Sequence, residues 1–144
     1  MKYLTASITN AGGRKVNQDF AQFATVPPDG ICWVVADGLG GHGGGEVAAE
    51  TAVLKILETF AQTPQPTQET ITMCILAAQE AILKKQETED HLKRMRTTLV
   101  MMVGDRQKVQ WAHIGDSRLY CFRVGGLLEF TLDHSVPQAL VDAG

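Results

Sequence analysis

Apolar and polar positions change rhythm several times along this chain, and each change marks an element. Residues Phe20 to Val26 alternate, with Phe20, Gln22 and Ala24 on one face and Ala21, Phe23 and Thr25 on the other, which predicts a strand. Pro27-Pro28-Asp29-Gly30 predicts a turn, and Ile31 to Ala36 is the continuous apolar run of a buried strand. Two strands this close in sequence should pair antiparallel. Upstream, residues 3–9 mix β-branched and small side chains and predict a first strand, separated from the second by the polar, turn-rich stretch 10–19.

The period then lengthens. Val47, Leu54, Leu57 and Phe60, with Val53 and Ile56, form the wide apolar face of a helix over 46–61, stopped by Gln62-Thr63-Pro64-Gln65-Pro66. Thr67 is a predicted N-cap for a second helix, with Glu69 favourable in its first turn and Ile71, Cys74, Ile75, Ala78 and Ile82 as its stripe. Lys84 to Arg94 reads as a solvated helix end and a loop. Leu99 to Val103 is apolar throughout, so it predicts a strand buried on both faces. Gly104 to Lys108 turns the chain into an alternating strand, Val109 to Ile114, which Gly115-Asp116-Ser117-Arg118 interrupts. Leu119 to Val124 and Leu127 to Thr131 flank Gly125-Gly126, a hairpin signal. Strands, two helices, then strands predict an α+β fold with helices covering antiparallel sheet.

Composition narrows the class. The chain has 144 residues, 44% hydrophobic and 20% charged, with a net charge of −3, which fits a globular protein and does not indicate nucleic-acid binding. No apolar run is long enough to span a bilayer, and Met1 to Ser7 carries no signal-peptide core, so a cytoplasmic protein without membrane association is expected. Cys32, Cys74 and Cys121 are far apart in apolar segments and read as reduced packing residues.

One stretch organises the chemistry. The central strand ends at Asp37, and six glycines follow within the eight residues from Gly38 to Gly45. A carboxylate at a strand end, beside backbone that no side chain shields, suits a hard cation with oxygen ligands. Gly38-Leu39-Gly40-Gly41-His42-Gly43 also matches G-x-G-x-x-G. Against a dinucleotide site stand the charge of Asp37 beside a pyrophosphate, the second helix where a parallel strand is needed, and Glu58, the acid near the expected offset, in mid-helix. A glycine-rich loop with a solvated aspartate is the plain structural alternative.

Antiparallel pairing of 20–26 with 31–36 would bring Asp19 to the same end of the sheet as Asp37, with Arg14 on the preceding loop in reach. Two acids suit a metal, and a guanidinium grips phosphate by its planar fork. Taken singly, Asp19 reads equally as a turn-capping acid, Arg14 as a surface cation and Gly115-Asp116-Ser117 as a turn that happens to present an acid. His42 and His134 lie in loops without metal-ligand spacing, and His113 falls on a sheet face.

Five segments, in order, resemble the metal-dependent serine/threonine protein phosphatases of the PPM (PP2C) family, bacterial branch. They are Arg14-Lys15-Val16-Asn17-Gln18-Asp19, Val35-Ala36-Asp37-Gly38-Leu39-Gly40-Gly41-His42, Thr97-Thr98-Leu99-Val100, Ile114-Gly115-Asp116-Ser117-Arg118 and Leu132-Asp133-His134-Ser135. The resemblance implies a PP2C-like antiparallel β-sandwich flanked by helices, with Mn²⁺ or Mg²⁺ at one end. By position, Asp37 resembles the carboxylate bridging two metals, Gly38 the residue whose carbonyl joins one of them, and Asp19 an acid supporting that shell. Asp116 resembles the ligand of a third, weaker metal, and Arg14 the residue that binds substrate phosphate. The implied chemistry is hydrolysis of phosphoserine and phosphothreonine by metal-activated water, with phosphoproteins and a cognate serine/threonine kinase as partners.

Three positions depart from the family pattern. Arg96 stands where the family usually has glycine before Thr97-Thr98. Leu39 follows Asp37-Gly38 where animal relatives place a histidine, so the general acid has no assignment. The family's later metal acids lie beyond Gly144, so residues 1–144 are expected to be the N-terminal part of a single domain, incomplete at the C-terminus and inactive alone. Two further readings follow from that expectation: a non-catalytic protein that binds phosphoproteins or another partner, and a homo-oligomer joined through exposed sheet edges.

Overall fold

The computed structural model describes residues 3–39, 43–134, 138, 139 and 141. Among the described residues the elements run as β1 (Asp19–Val26), β2 (Gly30–Leu39), α1 (Gly45–Gln62), α2 (Gln68–Thr88), β3 (Arg96–Thr97), β4 (Leu99–Gly104), β5 (Val109–Ile114), β6 (Tyr120–Arg123) and β7 (Gly126–Phe130), with a short 3-10 turn at Asp90–Leu92. The fold is α+β and its pairing is antiparallel throughout the described residues.

The main sheet runs β1-β2-β4-β5, with β3 pairing the end of β2, and β6 and β7 form a separate two-stranded sheet. Strand β2 is the axis of the molecule. It pairs with β1 along one side, from Val26↔Gly30 to Asp19↔Asp37, and with β4 and then β3 along the other. This leaves β2 longer than its apolar run predicts: Asp37 and Gly38 are still strand, because β3 supplies partners opposite Gly38 and Leu39.

Both helices lie against one face of the sheet. Cys32, Val34 and Ala36 of β2 and Leu99, Met101 and Val103 of β4 meet Ala48, Ala52, Val53, Ile56 and Phe60 of α1. Small side chains near the start of α1, Ala48, Ala49 and Ala52, let that end approach the sheet closely. The core side of α1 is therefore richer in alanine than the expected stripe, and Leu54, assigned to that stripe, is exposed. The α2 stripe packs as expected, with Ile71, Cys74, Ala78 and Ile82 buried, and the Thr67 hydroxyl caps the helix by accepting from the Thr70 amide at 3.2 Å. The segment after Lys84 is not simply solvated: Leu92 and Met95 are buried under the helices, and Gln86 donates to the Met95 carbonyl at 2.8 Å.

The opposite face of the sheet carries a cross-strand row, Phe23, Trp33, Met102 and Trp111. Residues 3–9 do not form the expected strand. They run as irregular chain, with Tyr3 packed edge-on to Trp33 at 5.2 Å and Thr5 accepting from the Trp33 indole at 2.9 Å, while Leu4 and Ile8 project outward. No strand among the described residues offers 3–9 a partner, and a β-branched sequence cannot hold an extended ladder alone. The hairpin turn also sits one residue earlier than the diglycine suggests. Arg123 pairs with Gly126, so Val124 and Gly125 make the two-residue loop, both with positive φ (51° and 79°).

Candidate functional site

Register brings the predicted acids together. Asp19 opens β1 directly opposite Asp37, as hairpin geometry required. The loop before Asp19 is held by local hydrogen bonds: Asn10 Oδ1 accepts from the Gly12 amide at 2.7 Å, the Arg14 amide donates to the Ala11 carbonyl at 3.1 Å, and Asn17 Oδ1 accepts from the Asp19 amide at 3.1 Å. This loop carries Arg14 over a cleft of about 200 Å³ that Asp19 and Asp37 also line.

The main chain of Asp37 is clamped by Thr97 at the end of β3 and by Thr98, between β3 and β4. Its carbonyl accepts from the Thr98 amide at 2.8 Å and from the Thr97 hydroxyl at 3.0 Å, and its amide donates to the Thr98 hydroxyl at 3.1 Å. Thr98 is buried and its hydroxyl meets Ser117 Oγ at 2.5 Å, which ties the turn after β5 to the same point. Gly38 follows with its amide donated to the Gln18 carbonyl at 3.0 Å. A Cβ on Gly38 would lie 2.1 Å from the Gly45 carbonyl oxygen, so strand and helix touch main chain to main chain here. Gly44, at φ 90°, then turns the chain into α1 with no side-chain cap.

Burial pushes the Asp37 carboxyl above the usual carboxylate range, and Asp19 adds to the rise through its charge and a side-chain hydrogen bond. Arg14 opposes the rise, and the charge of Asp116 reinforces it. Two carboxylates forced side by side are what a bound dication would relieve, and every donor is a hard oxygen, so the residues present fit Mg²⁺ or Mn²⁺. They do so incompletely: among the described residues no group of three or more His, Cys, Asp or Glu converges as a metal site. Asp116, on the turn after β5, is within electrostatic reach of Asp37 but outside the cleft shared by Arg14, Asp19 and Asp37.

The other candidates have structural roles or fall outside view. His113 stacks on His134 at 4.2 Å and its Nε2 meets the Leu132 carbonyl at 2.7 Å. His42 lies outside the described residues, as do Gly40, Gly41 and Ser135. Arg118 forks onto both oxygens of Asp133, at 2.6 and 2.7 Å, and anchors the hairpin base. Glu46, which the sequence places only at the start of α1, ties that helix to the 10–19 loop: it accepts from Gln18 Nε2 at 3.2 Å, and its own backbone amide and then Gln18 hold its carboxyl below the usual range. The sequence gives Thr97-Thr98 no role of its own. Its one signal was a pair of hydroxyls immediately before a fully apolar strand.

Three comparisons with known proteins bear on the family and the fold. The family model for protein phosphatase 2C matches residues 10–136. The chain is 34% identical over 111 residues to the serine/threonine protein phosphatase PstP of Mycobacterium tuberculosis, covering 76% of this chain and 22% of PstP. It is 35% identical over 116 residues to the serine/threonine phosphatase stp of Listeria welshimeri, covering 77% of this chain and 46% of that protein. It thus spans less than half the length of these curated relatives. Among solved structures, the catalytic domain of PstP in complex with two manganese ions aligns with a TM-score of 0.78 at 31% identity, over 90% of this chain and 55% of that one.

Proposed function

Since this chain belongs to the protein phosphatase 2C family, we propose that it is the N-terminal part of a single phosphatase domain that hydrolyses phosphoserine and phosphothreonine in proteins. The observation that carries this reading is the in-register pair Asp19 and Asp37, with Arg14 over the same cleft. Asp37, Asp19 and the Gly38 carbonyl are the groups that would hold metal, with Asp116 toward a third, weaker site. Bound there, Mn²⁺ or Mg²⁺ would supply Lewis acidity and would make hydroxide available as a nucleophile near neutral pH.

The chain's own residues do the rest. Arg14 presents a forked donor to the phosphoryl oxygens and orients the ester over the acids. The Thr97 and Thr98 clamp fixes the main chain from which Asp37 projects, so the carboxylate is positioned before ligand arrives. The natural substrates are phosphoproteins made by a serine/threonine kinase, in keeping with a cytoplasmic protein. Among the described residues no helix is long and apolar enough to cross a membrane.

A second reading, a non-catalytic phosphoprotein-binding module, is favoured by one observation: the described acids do not form a three-ligand group. Mn²⁺ calorimetry paired with phosphopeptide turnover separates the two. The phosphatase reading expects weak Mn²⁺ binding by residues 1–144 and metal-dependent turnover once the rest of a domain is present. Arg14→Ala should then cost about 1.5–3 kcal/mol in phosphate binding, chiefly in KM. Phosphopeptide binding that persists without turnover at saturating metal in such a complete domain would favour the module.

A further inference from the structure

Arg96, the residue that departs from the family's glycine, does not stand alone. Lys93, Arg94 and Arg96 line a cleft of about 430 Å³, together with Gln79, Gln86 and Thr97. No acidic side chain is among the described residues that line it. Lys93 is tied to Asp90 at 2.7 Å, while Arg94 and Arg96 form no ion pair among the described residues. Both guanidinium groups are exposed, so their charge is unspent.

The place of this cleft gives it meaning. Arg96 sits on β3 opposite Leu39, and its neighbour Thr97, opposite Gly38, donates to the Asp37 carbonyl. Arg96 is therefore two strand positions from the candidate metal acid, about 7 Å along the sheet at the rise of an extended chain. Asp37 and Leu39 share one face of β2, and Arg96 pairs with Leu39, so a peptide whose phosphorylated residue lies over Asp37 would set side chains about two to four positions away at the Arg96 edge of this cleft. Elsewhere the field is unfavourable to an acidic peptide: the chain carries a net charge of −3, and Asp19, Asp37 and Asp116 share one end of the sheet. Arg94 and Arg96 invert that field locally, which selects among substrates more than it adds raw affinity.

We infer that Arg94 and Arg96 form an anion subsite that selects phosphopeptides with an anionic side chain, carboxylate or second phosphate, about two to four residues from the phosphorylated position. The inference rests on the phosphatase reading for its geometry but is tested by binding, so that each can fail alone. The probes are fluorescent phosphoserine peptides with alanine, glutamate, lysine or a second phosphoserine at the flanking positions, and the unphosphorylated alanine and glutamate peptides, measured by anisotropy at low and moderate salt without added metal. The glutamate phosphopeptide should bind at least fivefold tighter than its alanine counterpart. In Arg94→Gln/Arg96→Gln that preference should fall below twofold with affinity for the alanine peptide unchanged. A larger gain from the second phosphoserine assigns the subsite to phosphate, and an equal or smaller one to carboxylate. Arg96→Glu should turn the preference toward lysine flanks. These are exposed positions, and an unchanged circular dichroism spectrum checks that the variants are folded. A wild-type protein indifferent to flanking charge, or a preference that survives in the double variant, overturns the inference. An arginine-dependent gain by the unphosphorylated glutamate peptide upholds the subsite even if no phosphopeptide is hydrolysed.

Discussion

Replacing Gly38 by alanine would drive a methyl group into main chain on two sides. The new Cβ would lie 2.1 Å from the Gly45 carbonyl oxygen, 2.3 Å from its carbon and 2.7 Å from the Gln18 carbonyl oxygen. Ordinary contact begins near 3.4 Å, so α1 or β2 must give way by more than an ångström, and no flexible side chain is available to absorb it. Overpacking of this kind costs about 1–3 kcal/mol, and weakening the Gly38 to Gln18 hydrogen bond adds about 1 kcal/mol. We expect Gly38→Ala to lose about 2–4 kcal/mol, a large share of the roughly 5–15 kcal/mol that holds a domain together. Urea unfolding followed by tryptophan fluorescence measures this, with Gly13→Ala as the control because a Cβ there meets nothing within 4 Å. The control should change by less than about 0.5 kcal/mol. A Gly38→Ala midpoint equal to that of wild type would refute the close approach of β2 and α1, and with it the account of how Asp37 is positioned.

Asp37→Asn removes the charge that burial and Asp19 disfavour, so the metal-free protein should gain stability in thermal melts while losing Mn²⁺ binding in calorimetry. A variant that keeps its metal affinity would take Asp37 out of the site. Val124, a β-branched residue at φ 51°, bears strain that Val124→Asn relieves, and the hairpin should gain about 1 kcal/mol, read as a higher unfolding midpoint. Arg118 holds the Asp133 carboxyl below its usual range, so this pair contributes above the unfolded pKa of about 4 and is lost as pH falls through the lower folded value. The Tyr120 signal in acid titrations should therefore change below about pH 4 in wild type and lose that step in Arg118→Gln, while an identical profile in the variant would remove the pair from the hairpin's anchoring. Tyr120, Phe122, Leu127, Leu128 and Phe130 are all exposed on the two-stranded sheet, so residues 1–144 should self-associate, and sedimentation showing a monomer across the concentration range would contradict this.

Much of this architecture was legible because periodicity reports burial. The change from the alternation of Phe20–Val26 to the unbroken run of Ile31–Ala36 distinguishes an edge strand from a central one, and the sheet order places β1 at the edge and β2 inside. The hairpin between them then dictated that Asp19 meet Asp37, since antiparallel strands joined by a short turn have no other register of comparable simplicity. What escaped depends on contacts distant in sequence. Residues 3–9 have strand-like composition but lack a partner, and composition cannot report a partner. Leu54 fitted an apolar stripe, yet alanines at 48, 49 and 52 bring the adjacent face of α1 to the sheet and leave Leu54 outside. The Thr97 and Thr98 clamp joins residues about sixty positions apart, and the hydroxyl pair that marks it locally does not name its partner. The turn falls one residue before the diglycine because pairing of Arg123 with Gly126 puts Val124 in the loop, a position that propensity does not favour for valine.

The main-chain contact of Gly38 with Gly45 also makes α1 a lever with its fulcrum at the aspartates. The helix runs from Gly45 to Gln62, and Phe60 lies about 22 Å along its axis from that contact. A displacement of about one ångström at Phe60 tilts the axis by only about 2.5°, and a residue one rise from the fulcrum moves by less than about 0.1 Å. A small displacement at the far end of the helix is thus attenuated before it reaches the acids. The same mechanics run the other way at the glycines, where a single added methyl is magnified into a swing of the whole helix.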